Sequence, residues 1–194
     1  MVFDSFIDAI AEKVALTEEE KLIIQSYLIP KKVRKKQYVL QKGDFCKYLI
    51  FVTKGALRAY SVDDNGNEHI IQFALEGWFI GDIHSMVTGT PAVYNIDVLE
   101  HSELVMITQS AQDELKLKVP QFATYSLLMI TAAYAAMQKR ITALISLTVD
   151  EQYKNFISQY PNINQRVPQH MIASYLGFTQ ETLSRVRKRI GSTK

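Results

Sequence analysis

The stretch Ile172–Ile190, IASYLGFTQETLSRVRKRI, decides how the rest of the chain is read. With Ala173 at the fifth position of a twenty-residue helix-turn-helix template, Gly177 falls at the ninth. Ile172, Leu176, Phe178, Leu183 and Val186 then fall at positions four, eight, ten, fifteen and eighteen. A small residue is needed where two helices cross, and glycine can take the positive φ of a tight turn. The apolar positions hold the two helices together, and Thr179 is placed to cap the second.

The second helix has two faces. Leu183, Val186 and Ile190 point inward, whereas Gln180, Glu181, Ser184, Arg185 and Lys188 point outward together. These are residue types that read base edges in the major groove: Arg with guanine, Gln with adenine, Glu with cytosine N4. Thr182, Arg187 and Arg189 sit beside them and suit phosphates, and Thr179 at the helix start completes the set. Charge agrees with this placement. Residues 1–159 hold 16 Lys/Arg against 19 Asp/Glu, whereas residues 160–194 hold 6 against 1. A basic end on a mildly acidic body points to a polyanionic partner.

The bulk composition bounds the remainder. A chain of 194 residues, 47% hydrophobic, has room for one large domain or one domain plus a small one. No apolar run reaches the roughly 18 residues a membrane span needs, so no membrane partner is expected. The start, MVFDSFIDAIAEKV, carries early acids and no basic segment, unlike a secretory signal. Cys46 is the lone cysteine, which excludes an internal disulfide and a cysteine cluster for zinc or iron–sulfur and makes a reducing cytoplasm the expected setting.

Residues 1–29 read as two short helices, the second opened by the capping box Thr17–Glu20 and buried through Leu22, Ile23, Leu28 and Ile29. From Lys31 to Thr108 the texture is β-rich: YVLQ, YLIFVTKG, ALRAYSV, HIIQFAL, WFIG, NIDVL and ELVMIT. Gly43, Gly55, Asn65-Gly66 and Gly77 punctuate these runs, and Asn-Gly is a strong hairpin signal. Many short strands without βαβ alternation imply a sandwich, jelly roll or barrel. A short helix follows with Ser110 at its N-cap, then a long one from Pro120 to about Leu147. Ala123, Leu127, Ile130, Tyr134, Met137, Ile141, Leu144 and Thr148 fall on it at alternating steps of four and three, a heptad seam. Phe122, Tyr125, Met129, Ala132 and Ala136 form a second stripe. One stripe is expected on the β-domain. The other, through Leu127, Ile130, Tyr134, Met137, Ile141 and Leu144, is expected on a second copy of the chain. Asp150 opens a further helix, and QRVP reads as an extended connector before the helix-turn-helix.

This order resembles the Crp/Fnr family of bacterial transcription regulators, built on a cyclic-nucleotide-binding fold, and the resemblance spans nearly the whole chain. QKGDFCKYLIFVTKGALRAYSVDDNGNEHIIQF looks like that family's glycine-punctuated jelly roll, and GWFIGDIHSMVTGTPAVYNIDVLE like its phosphate-binding cassette. TQETLSRVRKRI is similar to its recognition helix, with Glu181 and Arg185 at two base-reading positions and Gln180 where cyclic-AMP-responsive members have arginine. The resemblance implies an α+β chain. An N-terminal β jelly roll, or double-stranded β-helix, with its helices occupies residues 1–118, a dimerisation helix 119–148, and a helix-turn-helix domain 149–194. The chain ends at Lys194, four residues past Ile190, so little or no β-wing is expected. The implied partners are double-stranded DNA, a second copy of the chain, and RNA polymerase.

The cassette departs from the pattern. A cyclic phosphate needs a cation and several N–H donors. Gly81 and Asp82 hold the first part, but the Arg-Ser pair is replaced within Pro91-Ala92-Val93-Tyr94, and no Arg or Lys lies between Arg58 and Lys116. Ordinary cyclic-AMP binding is therefore not expected. Either Gly81, Asp82, His84, Ser85, Tyr94 and Asn95 contact another small effector, or they satisfy one another in a vestigial pocket. His69, His84, His101 and His170 lack metal-ligand spacing, with His84 the one placed in the cassette; Cys46 reads as a filler in a hairpin turn, with a redox-sensor role as the lesser alternative. No nucleophilic triad, Walker-type loop or metal signature points to an enzyme. The competing reading is a small-molecule sensor acting through protein contacts without DNA; the basic C-terminal excess argues against it.

Overall fold

Strand-forming runs between residues 29 and 108 pair into two sheets because both of their faces have apolar residues to bury. The computed structural model describes residues 3–191. Its strands are β1 (Ile29–Val33), β2 (Tyr38–Leu40), β3 (Tyr48–Lys54), β4 (Leu57–Val62), β5 (Glu68–Ala74), β6 (Phe79–Ile80), β7 (Asn95–Val98) and β8 (Ser102–Thr108). One sheet runs β1-β8-β3-β6 and the other β2-β7-β4-β5. In the first sheet Ile50 sits opposite both Met106 and Ile80, and Val52 opposite Leu104. Side chains alternate along a strand, so the neighbours Phe51, Val105 and Ile107 face the other way. They meet Phe6, Ile10, Ile24, Leu115, Phe122 and Tyr125 from α1 (Asp4–Ala11), α2 (Glu18–Ser26), α4 (Gln109–Lys118) and the first turns of α5 (Pro120–Ser146). Sheet burial on both sides explains why β3 reads YLIFVTK rather than as strict alternation.

Several details differ from the sequence reading. The β-domain starts at Ile29, inside the segment read as helical, and Pro30 is tolerated because β1 is an edge strand. On α2 the buried residue is Ile24, joined by Leu28 beyond the helix, while Leu22 and Ile29 are exposed. Thr108, not Ser110, caps α4: its hydroxyl accepts from Ala111 N at 3.1 Å and leaves Ser110 inside the first turn. Thr148 leaves the heptad seam to cap α6 (Val149–Gln159) in a box with Glu151. QRVP is not extended throughout, since Ile163–Arg166 forms the short helix α7. A helix inside the cassette, α3 (Ile83–Thr88), was not foreseen.

The chain divides into two units, Met1–Ser61 with Gln72–Ile130, and Val62–Ile71 with Thr131–Lys194. The second unit is built from the last part of α5, α6, α7, α8 (Gln169–Leu176) and α9 (Gln180–Gly191) around Tyr153, Phe156, Tyr160, Ile163, Ile172, Leu176, Leu183 and Val186. The hairpin segment 62–71, which the sequence reading counts with the β-domain, groups here for a concrete reason. Ser174 Oγ accepts from Ile70 N at 2.9 Å and donates to Glu68 O at 3.0 Å. Arg140 donates to Ile71 O and, at 3.2 Å, to Tyr175 O, with its guanidinium 3.9 Å above the Tyr175 ring. The residues following α9, where a wing was expected to be missing, lie outside the described residues.

Two glycines separate sterics from backbone strain. Gly55 has φ +106°, and a Cβ there would lie 2.7 Å from Ser102 Cβ and 2.8 Å from Ser102 Cα. Gly43 has φ +94° with open space around it. Gly55→Ala is expected to lower the unfolding free energy by about 3 kcal/mol, from strain and overlap together, and Gly43→Ala by about 1 kcal/mol from strain alone. Urea midpoints at constant m check the difference.

Candidate functional site

The recognition surface is built by the turn between α8 and α9. Gly177 takes φ +72°, a left-handed conformation that strains other residues, and so ends α8 and redirects the chain. Ala173, Ile172 and Leu176 on one helix and Leu183 and Val186 on the other are buried, as the template requires. Thr179 Oγ1 accepts from Thr182 N at 3.2 Å and donates to Thr182 Oγ1 at 3.1 Å, so Thr179 and Thr182 are tied to the helix start. With its inner face committed, α9 has only its polar face to offer.

That face borders a groove of about 510 Å³ lined by Gln169, Gln180, Glu181, Ser184 and Arg185. Lys188 is exposed one turn further along the same side. The Glu181 carboxyl is held below its usual range by its own main-chain N–H, then by the Thr179 hydroxyl, so it stands as a ready acceptor. Arg185 Nε donates to Glu181 O at 3.4 Å, and the side chain is exposed. Arg187 is half-buried. Arg189, expected beside the phosphates, instead pairs with Asp150 of α6, which raises its already high pKa. Gln169 was missed by the sequence reading; it occupies the first position of the same template, which would have pointed to it.

The cassette residues come together, but largely in contact with one another. Asp82 is buried; its Oδ1 accepts from Ser85 N at 3.0 Å and its Oδ2 from Val93 N at 3.3 Å. Ser85 Oγ donates to Thr90 O at 2.6 Å and accepts from Cys46 N at 3.0 Å. Tyr94 OH donates to Gly81 O at 3.0 Å, and burial, then the Asp82 charge, raises its pKa. Asn95 turns away to accept from Lys42 N at 3.0 Å, and His84 is exposed. Cys46 takes a larger part than a turn filler: its Sγ accepts from Asp82 N at 3.3 Å and donates to Tyr48 O at 3.5 Å. Burial raises its pKa, which keeps it a thiol. Arg58 is committed elsewhere, in a buried pair with Asp97 at 2.8 and 3.0 Å and stacked 4.1 Å over Tyr60. Among the described residues no group of three or more His, Cys, Asp or Glu is placed to hold a metal, and no helix is long and apolar enough to cross a membrane.

The order of elements is a β-sandwich with a short cassette helix, then a long helix and a terminal helix-turn-helix. The model of the cyclic nucleotide-binding domain matches residues 30–117. The regulatory protein HlyX of Actinobacillus pleuropneumoniae is 25% identical over 186 residues, covering 88% of this chain and 75% of its own. The transcriptional activator protein Anr of Pseudomonas protegens is 27% identical over 165 residues, covering 79% and 67%. The structure of FixK2 from Bradyrhizobium japonicum superposes with a TM-score of 0.73 at 18% identity, covering 86% of this chain and 85% of that one. Residues 30–117 thus match a cyclic nucleotide-binding domain, and over most of its length the chain is similar to bacterial transcription regulators, among them a Crp/Fnr-family regulator from Eubacterium rectale whose structure superposes with a TM-score of 0.66 at 17% identity, covering 99% of this chain and 88% of that one.

Proposed function

We propose that this regulator works as a homodimer joined along α5 and reads operator DNA through Gln180, Glu181, Ser184 and Arg185, with Arg187 and Lys188 on the phosphates. We further propose that its cassette does not take cyclic AMP in the family's usual way. The observation that carries the DNA reading is the α9 groove: four of its five lining residues are base-reading types on one exposed face. Arg189 acts mainly as a tie between α9 and α6, and Thr179 and Thr182 as the clasp that orients the first turn. Dimerisation is supported by the seam on α5. Leu127, Ile130, Tyr134, Met137, Ile141 and Leu144 are 46–66% exposed, a continuous apolar stripe left open in the single chain. Against cyclic AMP stands the state of the cassette: both Asp82 oxygens accept main-chain N–H groups, and residues 59–115 hold no Lys or Arg. An anion brought beside Asp82 would face an uncompensated charge.

The operator is expected to have two symmetric half-sites, centred about one helical turn or a multiple of it apart. Arg185→Ala should relax preference at one base pair per half-site by about 1–3 kcal/mol, leaving other positions unchanged in a randomised-site selection. Lys188→Ala should weaken all sequences alike and lower the salt slope of binding by about 0.9 per protomer. Equal losses on every sequence for both variants would reject the assignment. In sedimentation equilibrium the native chain should run at twice 22.1 kDa, and the double change Ile130→Glu with Ile141→Glu at the single mass. Calorimetric titration with cyclic AMP to millimolar concentration should give no heat; a micromolar affinity would overturn the cassette reading.

A further inference from the structure

The first sheet ends in β1 and the second in β2, so the sandwich is left unsealed where these two edge strands lie. A cavity of about 470 Å³ opens there. Its floor is apolar and buried, formed by Leu40, Ile50, Ile96 and Met106. Of the cassette only Ile96, near its end, lines it, and the lining residue Cys46 bonds on its other side to Asp82 and Ser85. Its rim carries Lys31 and Lys47, with Asp44 as the single acid among the lining residues.

The position of Lys31 is the informative one. It stands two residues from buried Val33, hence on the same face of β1, and pairs in register with buried Leu104. A cationic side chain therefore rises from an interior-facing position. Its neighbour Lys32, on the opposite face, pairs with Glu103 at 3.2 Å. Neither Lys31 nor Lys47 has an ion-pair partner among the described residues. The chemistry complementary to a greasy floor and a two-lysine rim is an alkyl chain that ends in an anion. We propose that this cavity binds a medium-chain alkyl carboxylate, tail on Leu40, Ile50, Ile96 and Met106 and head on Lys31 and Lys47.

The size agrees. At roughly 30 Å³ per water-sized group, the cavity holds on the order of fifteen such groups, the scale of decanoate. The inference does not rest on the DNA reading, and its failure would leave that reading untouched.

Calorimetric titration of the full chain with octanoate, decanoate and decanol tests it. Each methylene should tighten binding about fourfold, so decanoate should bind about sixteenfold more tightly than octanoate. Decanol, which has the tail without the charge, should bind about tenfold more weakly than decanoate. Lys31→Ala should remove most of that difference, while Lys32→Ala, on the outer face of the same strand, should bind as the native chain does. Melting temperatures of both variants confirm folding, since both side chains are exposed. Absence of saturable heat, equal affinity for decanol and decanoate, or equal losses in the two lysine variants would overturn the proposal. An unchanged affinity in Lys31→Ala would overturn it too, and would make Lys31 only a guard against edge-to-edge strand pairing.

Discussion

An apolar stripe that one chain leaves uncovered is the constraint on which the rest of the molecule turns. Helix α5 has 27 residues and is about 40 Å long. Phe122 and Tyr125 are buried against the β-domain, and Met129 packs against the same core. Beyond them the helix keeps large apolar side chains at heptad spacing and leaves them in water. Full burial of such a side chain from full exposure gains about 1.5–3 kcal/mol, and with 46–66% of each still exposed roughly half of that is left to be gained at each of the six, still a substantial driving force for association. That force fixes why the helix is both long and straight-patterned: a seam must continue over several turns to define register.

On the reading proposed above, the cassette is a binding loop that keeps its shape without the usual ligand chemistry. In a phosphate site, N–H donors converge on an anion supplied from outside. Here the Asp82 carboxylate supplies the anion from within, and the Ser85 and Val93 main-chain groups close on it. Ser85 and Cys46 carry the knot across to the β2–β3 connection. A loop satisfied in this way needs no ligand to be ordered. Any molecule entering it must first displace bonds already made, at the full desolvation cost of the groups uncovered.

What the sequence revealed and what it hid divide along sequence distance. The strands, the α5 seam and the helix-turn-helix were legible because alternation, heptads and the Ala173–Gly177 spacing are local periodicities. Edge strand β1 was missed because Pro30, Lys31 and Lys32 give it no strand signature, and α3 because six residues are too few to show a helical period. Leu22 and Ile24 could not be told apart, since a short helix with several apolar residues admits more than one buried side. At the sites, residue types were readable but partners were not. The pairing of Arg189 with Asp150 spans 39 positions, and that of Cys46 with Asp82 spans 36. Both are products of packing, with no local pattern to announce them. Nothing local marks Lys31; only its register with Leu104 places it on the inner face.

The clasp on the hairpin also sets an order of assembly. Segment 62–71 is synthesised early, yet Ser174 Oγ meets Glu68 O across 106 positions and Arg140 meets Ile71 O across 69. The second unit is therefore discontinuous along the chain, and no single cleavage separates the two units with both intact. A domain translated from its N-terminus must hold that hairpin without these partners until α8 has emerged. Its tip is organised for the wait: the Asp63 carboxylate gathers Asn65 N, Asn67 N and the Asn67 amide at 2.8–3.0 Å, bonds that close within five residues. The hairpin is thus a locally folded part that is finished first and fastened last.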